Sequence, residues 1–130
     1  MPQVHLVEGP VGAGKSTHCA ALAACSGGVH IALDEWFARL FSPDRPGTDT
    51  VTWYMDRKER LLNHIWNHTL ALIASGATPI LELGLVQRQN REEFYQRARE
   101  AGVDLKVYVL EASRGLRRER VTRPISTESE

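Results

Sequence analysis

The feature that most constrains the fold of this chain is the glycine-rich stretch "GPVGAGKS" at residues 9–16. It follows the apolar run "VHLVE", which predicts a β-strand over 4–8, and precedes an alanine-rich run that predicts a helix over 15–24. The stretch satisfies the pattern G-x-x-x-x-G-K-[ST] in full, directly between a strand and a helix. Such a turn lets backbone N–H groups surround an anion, so the sequence predicts a phosphate-binding loop.

Side-chain roles within this loop follow from the chemistry of phosphate binding. We expect Lys15 to reach the β- and γ-phosphates of a nucleotide and the Ser16 hydroxyl to ligate Mg²⁺. Thr17 is expected to add a contact to the α-phosphate. The backbone contacts are expected from Gly9, Gly12, Ala13 and Gly14. The loop is therefore predicted to bind a nucleotide together with Mg²⁺.

Two other nucleotide-binding classes are excluded by motif order. An acid about 20 residues after the loop, Asp34, stands where dinucleotide-binding proteins hold a ribose. However, the glycines here run G-x-x-G-x-G, and the Lys-Ser pair has no role in that fingerprint. A regulatory GTPase is excluded because the chain has no N-K-x-D base-reading motif, and its "DRPG" segment does not follow an apolar strand.

The rest of the chain alternates short apolar runs with longer amphipathic ones. The runs predict strands over 29–33, 78–84 and 105–111, and helices over 51–75, 88–101 and 113–123. Near-continuous apolar strands such as "VHIAL" and "VYVL" are typical of strands covered on both faces. Helical crossovers between strands imply a parallel sheet. We therefore predict an α/β, three-layer P-loop NTPase fold, with about four parallel strands and helices on both faces.

Composition narrows the class of protein further. Sixteen basic residues balance sixteen acidic ones, so no overall field attracts nucleic acid or a membrane surface. No apolar run approaches the roughly 18 residues of a membrane span, and the N-terminus lacks the pattern of an export signal. Cys19 and Cys25 point in different directions on one predicted helix, and two free thiols fit a reducing compartment. We expect a cytoplasmic protein that makes no membrane contact.

Three acids, Asp34, Glu82 and Glu111, are predicted at the carboxyl ends of strands, where ligands bind in open α/β sheets. Asp34 follows "VHIAL", and a carboxylate there can accept the proton of a hydroxyl that attacks the γ-phosphate. The alternative is that Asp34 caps a helix. Glu82 lies in the apolar run "PILELG", where an unpaired carboxylate is unfavourable. A Mg²⁺-bound water beside Ser16 is its expected partner, and an exposed edge position is the alternative.

Arginines are concentrated near the C-terminal end of the chain, on the predicted basic helix over 113–123. Arg120 and Arg123, three residues apart, share one face of that helix and are expected to clamp a phosphoryl group during transfer. Arg39 and Arg88 are weaker candidates for contacts with the acceptor substrate. The alternative for most of these arginines is a solvated helix face.

Together these segments resemble the small P-loop kinase group, which includes polynucleotide 5′-hydroxyl kinases, zeta-toxin-like kinases and chloramphenicol phosphotransferase. The resemblance is carried by "GPVGAGKST", by the acid after the second predicted strand, by "LELGLVQR" and by "RERVTR". The segment "LDEWFARLFSPDRP" is similar to bacterial members of the group described as AAA-type or zeta-toxin-like ATP-binding proteins. The resemblance extends from residue 3 to about residue 123.

The resemblance implies an ATP-dependent kinase that requires Mg²⁺ and moves the γ-phosphate to a hydroxyl acceptor. The acceptor would be a small molecule, a nucleotide sugar or a polynucleotide end, so nucleic acid enters only as an acceptor. By resemblance, Asp34 activates the acceptor, Lys15 and Ser16 hold phosphate and metal, and Arg120 and Arg123 begin a lid. A nucleotide-binding module that performs no chemistry, or only hydrolysis, is the alternative.

The resemblance also sets an expectation for domain organisation. Kinases of this group continue past the "R-x-x-R" helix into a lid and a fifth strand. Here that segment is followed by the polar stretch "PISTESE" at residues 124–130. We therefore expect one kinase-like domain over 1–123, a disordered tail over 124–130, and no complete lid or fifth strand.

Overall fold

The computed structural model describes residues 3–10, 12–113 and 116–122, with side chains described through residue 111. The four predicted strands and the helices predicted over 15–24, 51–75 and 88–101 are present, with boundaries within a few residues of the expected ones, and a further helix lies over 33–40. The elements are β1 (Gln3–Glu8), α1 (Lys15–Ser26), β2 (Val29–Ala32), α2 (Leu33–Leu40), a 3₁₀ turn (Ser42–Asp44), α3 (Thr50–Ala74), β3 (Pro79–Glu82), α4 (Arg88–Glu100), β4 (Asp104–Ser113) and β5 (Leu116–Thr122).

The strands form one sheet in the order β2-β3-β1-β4-β5. β3 pairs in parallel with β1 on one side and with β2 on the other, and β4 pairs in parallel with β1. The predicted α/β class and its four parallel strands are therefore confirmed. Because these strands share one direction, their carboxyl ends lie at the same edge of the sheet.

The prediction of a helix over 113–123 is wrong. Its described part is the strand β5, which pairs antiparallel with β4 from Val107 opposite Thr122 to Ser113 opposite Leu116. The segment is rich in arginine, a good helix former, but pairing with the free edge of the long strand β4 overrides that local preference. The sheet thus gains a fifth strand where the sequence led us to expect none. Arg123 and the tail over 124–130 lie outside the described residues.

Helices cover both faces of the sheet, as predicted. Alternate side chains of the central strands point to opposite faces, so Leu6 and Leu81 join the core under α2, α3 and α4. Val7 and Ile80 join a second, smaller core under α1, which also contains Cys19. The three layers follow directly from this alternation, because each face of the sheet is apolar and needs a cover.

The long helix α3 is held by one apolar stripe. Leu61, Ile65 and Trp66 are buried at helical spacing, and Trp66 packs edge-on against Phe94 of α4 at 5.3 Å between ring centroids. The helix ends just before Gly76, which adopts φ +89°, a backbone conformation that favours glycine. This packing fixes α3 and α4 side by side on the sheet face opposite α1.

Both thiols of the described chain are free, with Cys19 buried and Cys25 exposed. Their separation agrees with the expectation that they do not pair with each other. Among the residues described, no helix has the combined length and apolar character needed to cross a membrane.

A buried histidine lies on the α1 side of the sheet. His5 of β1 is only 8% exposed, and its Nδ1 atom shares a hydrogen bond of 2.9 Å with the hydroxyl of Tyr108 on β4. Burial, and to a smaller extent the positive charge of Lys106, lowers the pKa of His5 below its ordinary value of 6.5. The folded protein therefore favours the neutral imidazole.

This shift gives a prediction for stability against pH. As the pH falls through 6.5, His5 of the unfolded chain takes up a proton that the folded chain excludes, so the free energy of unfolding decreases until the lower folded pKa is reached. The variant His5→Asn should lose this part of the pH dependence. Urea unfolding at several pH values between about pH 7 and pH 5 measures how the free energy of unfolding changes with pH. The matched control is His64→Asn, at a histidine that is exposed. Parallel profiles for the parent and His5→Asn would contradict the prediction.

Candidate nucleotide and acceptor site

The glycine-rich loop connects the end of β1 to the start of α1 at the carboxyl edge of the sheet. Gly14 is the N-cap of α1 and adopts φ 87° and ψ 29°. No side chain caps this helix, and its first turn contains no acidic residue. The N–H groups of the first turn and the positive end of the helix dipole are thus available to an anion. The loop has the form that the sequence predicts for phosphate binding.

Gly9 is required by close packing at the base of the loop. It adopts φ +154°, and a Cβ atom at this position would lie 2.7 Å from the carbonyl oxygen of Leu110. The backbone of the loop therefore runs directly against β4. Gly12 also has a positive φ, +87°, but a Cβ atom there would meet no atom within 4 Å. The two glycines are thus needed for different reasons.

The Lys15 side chain reaches back over the first residues of the loop. Its Nζ atom donates hydrogen bonds to the carbonyl oxygens of Gly9, at 2.7 Å, and Pro10, at 3.2 Å. The ammonium group is therefore held over the same loop whose N–H groups would surround a phosphate. Phosphate oxygens entering the loop would accept from this ammonium group in place of the two carbonyls.

The structure brings Ser16 and Glu82 together. The Ser16 hydroxyl donates to the Glu82 carboxylate, with oxygen–oxygen distances of 3.0 and 3.1 Å. Glu82 ends β3, the strand next to β1, and its side chain is 16% exposed. His30 of β2 contacts the same carboxylate, with Nε2 3.0 Å from Oε1. The sequence predicted that Ser16 and Glu82 would be neighbours, but the contribution of His30 was missed, because nothing in the spacing links β2 to β3.

The strand before Asp34 ends one residue earlier than predicted. β2 ends at Ala32 and α2 begins at Leu33, so Asp34 lies in the first turn of α2 rather than at the end of the strand. The alternative of a helix cap is also wrong, because the N-cap residue is Ala32. Asp34 is exposed, and its charge contributes, after burial, to a raised pKa of Tyr54 on α3.

A pocket of about 320 Å³ opens next to α2, and Asp34 is not among the residues that line it. It lies between α2, the 3₁₀ turn and the first turns of α3, and three of its lining side chains are aromatic. The lining residues are Phe37, Ser42, Arg45, Thr50, Val51, Trp53 and Tyr54. Sequence reasoning missed this pocket, because residues 42–49 carry only turn signals and the aromatic residues belong to two separate helices. The pocket offers an apolar floor, hydroxyl groups and one guanidinium group.

A second acid near the loop was not predicted. Glu8 ends β1, and its carboxylate accepts from the Tyr95 hydroxyl at 2.9 and 3.0 Å. Burial raises the pKa of Glu8, while the hydrogen bond from Tyr95 and the charge of Arg91 oppose that shift. The pair joins the strand that leads into the loop to helix α4, and so anchors the base of the loop.

Of the four arginines predicted for the site, three lie in segments that the structure describes. Arg39 lies on the exposed side of α2 and pairs with Glu35 at 3.2 Å. Arg88 begins α4 with 86% of its side chain exposed, and lies 3.7 Å from Glu92. The backbone of Arg120 lies in β5 opposite Val109, in a strand rather than on the predicted helix face. Arg123 lies outside the described residues.

Comparison with known proteins shows which family this chain belongs to. The sequence matches the AAA domain family over residues 4–123, so the chain belongs to that family. No curated protein matches the chain. The predicted resemblance to the small P-loop kinase group is confirmed at the level of family and fold.

Solved structures share the fold. Chains from two structures of the Pnkp1/Rnl/Hen1 RNA repair complex match with TM-scores of 0.64 and 0.65, each at 16% identity over 83% of this chain. A gluconokinase from Sinorhizobium meliloti 1021 matches with a TM-score of 0.51 at 24% identity over 82% of this chain. The chain spans 32% and 35% of the first two proteins and 57% of the third. At these identities the likeness shows the fold.

The close approach at Gly9 gives a prediction for stability. Gly9→Ala should destabilise the fold more than Gly12→Ala, by about 1–3 kcal/mol, because only the first adds an overpacked Cβ to a strained φ. The variant Gly12→Ala controls for the strain of a positive φ, which is about 1–2 kcal/mol. Chemical denaturation of both variants measures the difference. Equal losses would mean that β4 moves away from the loop without resistance.

Proposed function

We propose that this chain binds Mg·ATP at the loop over 9–16 and transfers the γ-phosphoryl group to a hydroxyl acceptor held beside Asp34. The observation that carries the proposal is the contact between Ser16, at the start of α1, and Glu82, at the end of β3. It joins a phosphate-binding helix terminus to a carboxylate at the same edge of the sheet. The AAA domain family match and the fold shared with a gluconokinase support nucleotide binding and phosphotransfer.

The proposed nucleotide binding rests on the loop over 9–16. The uncapped N-terminus of α1 supplies N–H donors, and the Lys15 ammonium group lies over the same loop. Both lie at the same end of α1, where phosphate groups bind at helix N-termini. Lys15 then holds the oxygens on which negative charge develops during transfer.

The proposed Mg²⁺ binding rests on the oxygen donors of Ser16 and Glu82. Ser16 offers a hydroxyl oxygen and Glu82 a carboxylate, which are the hard oxygen ligands that Mg²⁺ takes in nucleotide sites. When bound there, Mg²⁺ would supply positive charge that offsets the negative charge of the phosphates. Ser16 would ligate the ion directly, and Glu82 would orient a water of its shell. His30 keeps the Glu82 carboxylate in place when Ser16 turns to the ion.

The proposed binding of the hydroxyl acceptor rests on the pocket next to α2. Phe37 lies one turn after Asp34 on the same helix face and lines that pocket together with Tyr54. An acceptor seated on the aromatic side chains would bring its hydroxyl towards Asp34, and Arg45 would attract an anionic group on the acceptor. Asp34 would take the proton of that hydroxyl as it attacks the γ-phosphorus, and the bond to the ADP oxygen breaks.

The nucleotide contact predicts a loss of affinity in Lys15→Ala. Removing the charged donor should weaken Mg·ATP binding by about 10- to 150-fold, the equivalent of 1.5–3 kcal/mol for hydrogen bonds to charged groups. Isothermal calorimetry measures the change. Lys58→Ala, on the α3 side next to Tyr54, is the control and should keep the parent affinity. Unchanged affinity in Lys15→Ala would remove the basis of the proposed function.

The proposed role of Asp34 as proton acceptor predicts that its replacement slows phosphoryl transfer without weakening ATP binding. Asp34→Asn should keep ATP affinity and slow transfer by about 10²- to 10⁴-fold, the usual contribution of a general base. Single-turnover transfer from γ-labelled ATP to a panel of hydroxyl compounds measures it. Glu35→Gln, which changes the next carboxylate in the same helical turn, should transfer at the parent rate.

The composition of the acceptor panel follows from the structural neighbours. It includes a sugar acid, because a gluconokinase shares the fold, and RNA with a 5′-hydroxyl end, because other neighbours come from an RNA repair complex. Equal rates for the parent and Asp34→Asn would mean that Asp34 is structural. Nucleotide binding without transfer to any acceptor would favour the alternative, a module that binds or only hydrolyses ATP.

A further inference from the structure

Three side chains with metal-binding atoms meet between α1 and the sheet. They are Cys19 of α1, His30 of β2 and Glu82 of β3, and their Sγ, imidazole nitrogen and carboxylate oxygen all lie within 4.8 Å of one another. His30 Nε2 and Glu82 Oε1 are already only 3.0 Å apart. Three separate elements supply the three donors, so the cluster is a product of the tertiary fold rather than of one local turn.

The donor set selects a particular kind of cation. A thiolate, an imidazole and a carboxylate are the ligands of Zn²⁺, with metal–ligand distances of about 2.0 to 2.3 Å in a tetrahedron. Ligand atoms in such a tetrahedron lie about 3.4 to 3.6 Å apart, so the cluster needs to contract by about 1 Å at its widest. Mg²⁺ and Ca²⁺ prefer oxygen ligands and have little affinity for sulfur. The cluster is thus suited to a softer ion than the one expected at the phosphates.

The cluster is closed on one side and open on the other. The Cys19 side chain is fully buried, whereas 26% of His30 and 16% of Glu82 remain exposed. An ion can therefore approach past the imidazole and the carboxylate and reach the sulfur last. Ser16 donates to Glu82 at 3.0 Å, and its hydroxyl or a water would supply the fourth ligand.

We propose that Cys19, His30 and Glu82 form a binding site for a thiophilic divalent cation of the Zn²⁺ class. On binding, the S–H bond of Cys19 is exchanged for a bond from sulfur to the metal, and the proton passes to the buffer. Without metal, burial and the charge of Glu82 raise the pKa of the Cys19 thiol to about 12, with Lys15 opposing. A divalent cation between thiol and carboxylate reverses the local charge that disfavours the thiolate.

Occupation of this site has a consequence that rests on the proposed function. Glu82 is the carboxylate that Ser16 contacts and that would orient the Mg²⁺ shell. A cation held by Cys19 and His30 draws Glu82 into its own coordination and adds positive charge beside Ser16. Binding of Zn²⁺ should therefore oppose binding of Mg·ATP.

The site is tested with Co²⁺, which replaces Zn²⁺ and gives a near-ultraviolet charge-transfer band when a thiolate binds it. The full chain, reduced and free of nucleotide, is titrated with Co²⁺. One equivalent should produce the band, and Zn²⁺ should abolish it. The control Cys25→Ser, which removes the exposed thiol of the same helix, should keep the band.

Two variants separate the ligands. Cys19→Ser should lose the band, and His30→Gln should weaken Co²⁺ binding by about 10- to 100-fold or more, since even partners of metal ligands contribute that much. His30 is partly exposed, so His30→Gln still tests the site if Cys19→Ser does not fold. No band with the parent chain, loss of the band in Cys25→Ser, or parent affinity in His30→Gln would overturn the proposal.

A separate measurement distinguishes the site from its effect on the nucleotide. Calorimetric affinity for Mg·ATP is measured for the parent and for His30→Gln, with and without one equivalent of Zn²⁺. A lower affinity with Zn²⁺ in the parent alone supports antagonism, and equal affinities refute it. If Mg·ATP does not bind the parent at all, the proposed function fails while the Co²⁺ band still decides the metal site.

Discussion

The parallel register of β3 between β1 and β2 is the constraint on which the candidate site depends. Leu6 lies opposite Leu81, and Ala32 lies opposite Glu82, so the last residue of β3 falls beside both the loop and His30. The register is fixed by burial, because Ile80 belongs to the core under α1 and Leu81 to the core on the other face. A slip of one residue would exchange these two faces and turn Glu82 away from Ser16.

Much of this arrangement could be predicted from the sequence, because the relevant signals are local. The loop over 9–16, the strand before it and the helix after it are set by glycine and lysine spacing. The neighbourhood of Ser16 and Glu82 followed from the rule that parallel strands end at one edge. The C-terminal segment was predicted as a helix because its residues favour one locally, whereas strand pairing depends on an edge that only the folded sheet provides.

The pocket next to α2 shows a second limit of local patterns. Phe37 lies on α2 and Trp53 and Tyr54 lie on α3, and the turn between the helices carries no signal for where they meet. Phe37 packs against Trp53 at 5.7 Å and Tyr54 at 4.9 Å between ring centroids. These ring contacts hold the starts of the two helices together, so the same aromatic side chains that close the core also shape the pocket.

The contacts of Glu82 explain how an acidic side chain is tolerated at the end of a buried strand. A half-buried carboxylate is unfavourable unless hydrogen bonds replace its lost water, and Ser16 and His30 supply them. The two partners are not equivalent. In the proposed reaction Ser16 turns to the metal of the nucleotide, and His30 then remains to hold the carboxylate. In the proposed soft-metal site His30 itself becomes a ligand and Ser16 loses its acceptor. In the first proposal Glu82 therefore keeps His30 as a hydrogen-bond partner, whereas in the second both hydrogen bonds give way to coordination of the softer cation.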